Sequence, residues 1–218
     1  MNRPAEPRPE ARQRRQRDSI GGIQAVVIGA SAGGLQALAE LLPAFSDRTV
    51  AAVFVVLHIP RDRPSLLTEL FAPKCALEVR EAQDKEPVAP GTVYFAPPNY
   101  HLLVDDGPQL ALSADDLVHH SRPSIDVLFE SAAEVYAGRL LGVLLTGANE
   151  DGAEGLAAVH DAGGFTVVQE PETAQASTMV LSAMQLRSPD FVLPLGRIAE
   201  LFRTVGLDSS LRTGRPLG

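Results

Sequence analysis

Ile23-Gln24-Ala25-Val26-Val27-Ile28-Gly29-Ala30-Ser31-Ala32-Gly33-Gly34 runs directly into Leu35-Gln36-Ala37-Leu38-Ala39-Glu40-Leu41-Leu42. The first seven residues form a short β-branched run, the pattern of a strand buried on both faces of a parallel sheet. Leu35, Leu38, Leu41 and Leu42 then recur at helical spacing, so the stretch reads as a strand, a glycine-rich turn and a helix. Ala51 to Leu57 repeats the strand signal and Ser65 to Phe71 the helical one. Two successive βα units predict an α/β fold with a doubly wound, mainly parallel sheet.

Downstream, the middle of the chain changes character. Thr92 to Ala96, His101 to Asp105 and Gln109 to Ser113 read as short strands separated by Pro97-Pro98-Asn99 and Asp106-Gly107-Pro108. Such turns favour antiparallel hairpins, which predicts a small antiparallel insert or edge. The α/β alternation then resumes with a helix from about Ser124 to Tyr136, a strand from Arg139 to Leu145, a helix from Gly152 to Asp161 and a strand from Phe165 to Gln169. Short helices near Ala174 to Met184 and Ile198 to Val205 complete the expected domain, residues 21–207.

Upstream, residues 1–20 carry six arginines, three acids and three prolines with almost no large apolar side chain. That composition cannot bury enough surface to offset its ordering entropy, so it predicts a disordered leader, with a basic arm for an acidic partner as the alternative. Residues 208–218 are expected to be a loose terminus.

The whole chain has 218 residues, 45% of them hydrophobic and 21% charged, values ordinary for a globular domain. Its net charge of −8 argues against a nucleic-acid-binding body, which needs concentrated Lys and Arg. One cysteine, Cys75, cannot build a disulfide framework or a thiolate metal site and suits a reducing compartment. The longest apolar runs fall far short of the roughly 20 residues of a membrane-spanning helix. The N-terminus lacks the apolar core of a secretory signal, so a cytoplasmic protein is expected.

In open α/β sheets, ligands bind beyond the carboxyl ends of the strands. At those ends stand Ser31, then His58, then Asp151 in Thr146-Gly-Ala-Asn-Glu-Asp151-Gly152. A serine hydroxyl is a poor nucleophile until an imidazole removes its proton, and the imidazole needs a carboxylate to hold its tautomer. The three residue types therefore predict a catalytic triad of Ser31, His58 and Asp151. The small residues around Ser31 let a substrate approach the backbone, and N–H groups in the first helical turn offer an oxyanion site.

Each residue also has a structural reading. Ser31 suits the N-cap of the following helix, Asp151 suits the N-cap of the next with Glu154 completing a capping box, and His58 suits a satisfied strand-end residue. His101, His119, His120 and His160 show no zinc-site spacing. A dinucleotide fingerprint fails, because Ser31 occupies the second glycine position and His58 stands where the ribose-binding acid belongs.

Five ordered blocks carry a resemblance. They are Ile28-Gly-Ala-Ser31-Ala-Gly-Gly34, Leu57-His58-Ile-Pro60, Val93-Tyr-Phe-Ala-Pro-Pro, Arg122-Pro-Ser-Ile-Asp-Val-Leu-Phe129 and Leu144-Leu-Thr-Gly-Ala-Asn-Glu-Asp151-Gly-Ala153. Together they resemble the catalytic domain of chemotaxis protein-glutamate methylesterases, the CheB family, across roughly residues 22–205. The resemblance implies hydrolysis of γ-glutamyl methyl esters on cytoplasmic chemoreceptor helices, with methanol released, and deamidation of receptor glutamines by related enzymes. It places the nucleophile on Ser31, the base on His58 and the orienting acid on Asp151, and implies no metal or nucleotide cofactor. It also implies backbone oxyanion donors at Ala32, where threonine is common, and Ala148, where methionine is common. Glu150 replaces a usually neutral residue, and its charge is expected to alter local pKa values. Many members carry an N-terminal receiver domain, which 20 residues cannot form, so a stand-alone enzyme or an excised catalytic domain is expected, with a separate two-component regulator as a candidate partner. The alternatives are an esterase for another protein and a non-catalytic signalling module of the same fold.

Overall fold

The computed structural model describes residues 22–59 and 65–207. The expected leader and loose terminus lie outside the described residues. In chain order the strands are β1 (Ala25–Ala30), β2 (Ala52–Leu57), β3 (Glu78–Glu81), β4 (Thr92–Phe95), β5 (His101–Asp105), β6 (Gln109–Ser113), β7 (Leu140–Leu144), β8 (Phe165–Gln169) and β9 (Phe191–Leu193). Seven of them form a sheet in the order β3-β4-β2-β1-β7-β8-β9, with every pairing parallel. The strand order reverses at β1, which has β2 on one side and β7 on the other, and every residue of β1 and β2 is buried.

Helices cover both faces. On one side α1 (Gly34–Leu41), α2 (Leu67–Phe71) and α6 (Leu195–Phe202) bury Leu38, Leu41, Phe71 and Phe202 against Val26, Ile28, Val53 and Val55. Phe45 stacks on Phe202 at 4.4 Å between centroids and Phe71 on Phe95 at 5.4 Å. On the other side α3 (Ile125–Tyr136), α4 (Ala153–Asp161) and α5 (Thr178–Leu186) bury Leu128, Phe129, Leu156 and Met179 against Val27, Phe54 and Val56. Each such side chain contributes about 1.5–3 kcal/mol by leaving water. This two-sided burial holds the β1, β2 and β7 carboxyl ends in fixed register.

The expected α/β class and parallel sheet match this architecture, with differences in detail. Thr92–Phe95 was expected in the antiparallel insert, but β4 lies inside the main sheet, parallel to both β2 and β3. Only β5 and β6 form the antiparallel pair, and it packs on α3. The Pro97-Pro98-Asn99 turn thus changes sheets instead of closing a hairpin. The edge strands β3 and β9 carry no strand signal in the sequence reading. Glu78-Val-Arg-Glu81 is largely exposed and polar, and β9 has three residues. The last two helices also begin elsewhere than expected, at Thr178 and Leu195. No helix among the described residues is long and apolar enough to cross a membrane.

Candidate active site

Three loops meet at the carboxyl edge. Ser31 immediately follows β1 and His58 immediately follows β2, where Ala30 and Leu57 are register partners. His58 N–H donates to the Ala30 carbonyl at 3.1 Å, and Ser31 N–H donates to the Thr146 carbonyl at 2.9 Å. Thr146 Oγ1 ties the same corner from the other side, donating to the Ala32 carbonyl at 2.8 Å and accepting from Ala176 N–H at 2.9 Å. Buried Gln169 in turn accepts from Thr146 N–H at 3.0 Å. The Ser31 loop is therefore clamped by backbone and buried polar groups.

Ser31 does not cap α1. Gly33 fills the N-cap position at φ 81°, and Ser31 contributes only its carbonyl, which accepts from Gly34 N–H at 2.8 Å. A side chain at Gly33 would be strained at that φ, and its Cβ would lie 2.7 Å from Gln175 Cβ. The Ser31 hydroxyl is thus left without a helix-capping role. Among the described residues neither the Ala32 nor the Ala148 N–H has a hydrogen-bond partner, and both residues are exposed.

His58 and Asp151 are joined directly. His58 Nε2 lies 2.8 Å from Asp151 Oδ2, with the imidazole 14% and the carboxylate 0% exposed. The buried carboxylate also accepts from Ser124 Oγ at 2.8 Å, Ile125 N–H at 2.8 Å and Asp126 N–H at 3.0 Å. Asp151 therefore does cap a helix, but it caps α3, 25 residues upstream, and not its own neighbour α4. Burial pushes its pKa up, while the hydrogen bonds from His58, Ile125, Asp126 and Ser124 more than offset this and hold it below the usual range. The carboxylate is ionised and fixed.

With Nε2–H donated to Asp151, the free ring nitrogen of His58 is Nδ1. No hydrogen bond joins Ser31 Oγ to His58 among the described residues. The structure thus brings His58 and Asp151 into contact and sets Ser31 and His58 directly after the register partners Ala30 and Leu57.

Several supporting residues escaped the sequence reading. Buried His101 donates from Nε2 to the Asp116 carbonyl at 3.0 Å and accepts Ser124 N–H on Nδ1 at 3.1 Å. It fixes the residue that in turn holds Asp151. Asp126, also buried, accepts from Gly152 N–H at 2.9 Å and Gly155 N–H at 2.6 Å, and so caps α4. His119 Nε2 lies 3.3 Å from Asp126 Oδ2, and its Nδ1 lies 3.3 Å from Glu150 Oε1. The block from Arg122 to Phe129 signalled Ser124 and Asp126 only as parts of a motif, and His101 and His119 stood out only as histidines without zinc-site spacing. Glu150 itself is 68% exposed and turns toward His119. Asp151 is governed by its four hydrogen-bond donors instead. No cluster of three or more potential metal-ligating side chains occurs among the described residues.

Residues 26–202 match the family model described as CheB methylesterase. The chain belongs to the CheB methylesterase family. It is 45% identical over 179 residues to a putative protein-glutamate methylesterase/protein-glutamine glutaminase of Leptospira interrogans, covering 82% of this chain and 93% of that one. It is 39% identical over 182 residues to the protein-glutamate methylesterase/protein-glutamine glutaminase of Symbiobacterium thermophilum, covering 83% of this chain but 50% of that longer relative. The fold is similar to the crystal structure of the Thermotoga maritima CheB methylesterase catalytic domain, with TM-score 0.79, 33% identity, and coverage of 84% of this chain and 99% of that one. The strand order and the antiparallel pair described above are thus those of a CheB catalytic domain.

Proposed function

We propose that this CheB-family chain is a serine hydrolase that demethylates γ-glutamyl methyl esters on cytoplasmic helices of chemoreceptors. The carrying observation is the 2.8 Å contact of His58 Nε2 with a fully buried, ionised Asp151, at a sheet edge where Ser31 is the adjacent residue in register. Ser31 Oγ attacks the ester carbonyl as His58 Nδ1 takes its proton, and Asp151 stabilises the imidazolium. The oxyanion of the tetrahedral intermediate is received by the Ala32 and Ala148 N–H groups, each worth about 3–4 kcal/mol in comparable sites. The C–O bond to methoxide breaks, His58 returns the proton, and methanol leaves a glutamyl-Ser31 ester. Water, deprotonated by His58, attacks that ester, the bond to Ser31 breaks and the glutamate carboxylate is released. With a glutamine substrate the same sequence expels ammonia and amounts to deamidation.

A protein substrate is favoured by the relatives, which are named protein-glutamate methylesterases. Leu35 opens α1 just after the Ser31 loop, while Leu66 and Leu70 lie at the start of and on α2, after His58; they are 45%, 62% and 38% exposed. Exposed leucines of this kind suit contact with one face of an amphipathic helix. On this reading the chain acts in the cytoplasm, and a separate two-component regulator is a candidate partner.

The test is methanol release from a methylated receptor cytoplasmic fragment by the parent and by Ser31→Ala. The parent is expected to release methanol and the variant to lose at least about 10³-fold in kcat. Ser31→Ala at parental activity would overturn the nucleophile, and a parent that cleaves generic esters but not the receptor fragment would overturn the substrate.

A further inference from the structure

Beyond the triad, the starts of α3 and α4 exchange carboxylates. Asp151, the residue before Gly152 at the N-cap of α4, accepts from Ile125 and Asp126 at the start of α3. Asp126 accepts from Gly152 and Gly155 at the start of α4. Each side chain caps the helix at whose start the other stands, so the backbone that follows Asp151 is held by the residue that Asp151 itself holds. Gly152 sits at φ 100°, and a Cβ there would lie 2.5 Å from Leu144 Cδ1, so this turn requires glycine.

We infer that Asp126 is a positioning residue of the esterase site: by holding the Gly152 and Gly155 N–H groups it fixes the backbone that aims Asp151 at His58. This inference rests on the proposed hydrolase reading. Three groups face Asp126. They are Asp151, His119 at Oδ2 and, through His119, Glu150. Oδ2 is buried without a hydrogen bond, since the 3.3 Å approach of His119 is out of line for one. Oδ1 therefore performs the positioning, and it remains an acceptor whether the carboxyl is charged or neutral. A displacement of about 1 Å at a catalytic group costs on the order of 100-fold in rate, although substrate binding is untouched.

That separation of effects defines the experiment. Asp126→Ala removes both acceptor contacts, and Asp126→Asn keeps an oxygen where Oδ1 stands. In the full chain, assayed by methanol release, Asp126→Ala is expected to lower kcat about 30- to 100-fold with KM within about twofold. Asp126→Asn is expected to restore most of that loss. The low-field proton resonance of the His58 ring N–H bonded to Asp151 should vanish or broaden in Asp126→Ala and persist in Asp126→Asn. If Asp126→Ala does not fold, Asp126→Ser, whose hydroxyl can accept from one N–H at a time, takes its place with the same expected signs. A folded Ala or Ser variant with parental kcat and an unchanged His58 resonance overturns the inference. So does a loss confined to KM. Ser31→Ala in the same assay separates the two claims. If it stays active the hydrolase reading fails, whereas if it is dead and Asp126→Ala is fully active, only the positioning role fails.

Discussion

Asp126 and Asp151 both stand near a helix start and behave in opposite ways. Both are buried aspartates receiving N–H groups from the start of a helix: Asp151, just before α4, caps α3, and Asp126, in the first turn of α3, caps α4. Asp151 has donors on both oxygens, including Ser124 Oγ and His58, and its pKa is lowered. Asp126 satisfies one oxygen only. Burial pushes its pKa up to about 7, helped by the charge on Asp151 and resisted by the Gly155 hydrogen bond and His119. The difference shows that a helix N-terminus alone does not keep a carboxylate ionised. What decides is whether every lone-pair direction meets a donor once water has been removed.

The sharpest way to break this comparison is Asp151→Asn. It removes the charge that stabilises the His58 imidazolium and presents an amide where the ring N–H donates. We expect kcat to fall by roughly 10³- to 10⁴-fold, read by methanol release. A loss under tenfold would show that His58 works without this partner.

The pH dependence of stability separates the two carboxylates next. Asp126 has a raised folded pKa, so between about 4 and about 7 the native state holds a proton that the unfolded chain has released. Its contribution is therefore favourable at the acid end and declines as pH rises through about 7. Asp151, with a lowered folded pKa, contributes the reverse: its stabilisation is present above the ordinary aspartate value and is lost as pH falls below it. Asp126→Asn should cancel the first trend, raising stability at pH 8 relative to the parent by on the order of 1–3 kcal/mol with little change at pH 4. Parallel denaturation curves for the two proteins from pH 4 to 8 would show that Asp126 is ordinary.

Ser124→Ala tests the donor that distinguishes Asp151. Loss of one buried hydrogen bond should cost about 1–2 kcal/mol in denaturant melts, together with a kcat decrease of about tenfold. An unchanged midpoint would mean that the two backbone donors suffice. The smallest effect is expected from Glu150→Gln. The side chain is 68% exposed, so its approach to His119 is solvent-screened and the stability change should stay within about 0.5 kcal/mol. A larger change would show that Glu150 acts on Asp126 through His119.

Residues with strong local patterns were legible in the sequence. β1, β2 and β7 are unbroken apolar runs, and Ser31, His58 and Asp151 are legible because they fall just past the ends of such runs. Less legible were elements whose burial comes from neighbours. β3 is a largely charged, exposed edge (Glu78, Arg80 and Glu81), and β4 looks like a hairpin strand because its flanking turn does not reveal which sheet it joins. Ser124 and Asp126 looked like ordinary helix-start residues, and Ser124 does accept from Val127 N–H at 3.5 Å. Nothing local marks them as partners of Asp151.

From the order of amino acids alone came the βα alternation, the sheet edge at which the active site is proposed, and the residue types that stand on it, because hydrophobic periodicity and turn chemistry are short-range properties. Tertiary structure alone decided which helix Asp151 caps, which ring nitrogen of His58 is left free and how Asp126 and Asp151 come to differ. Those outcomes depend on which donors face a buried carboxylate, and the donors arrive from segments 25 and 93 residues away along the chain.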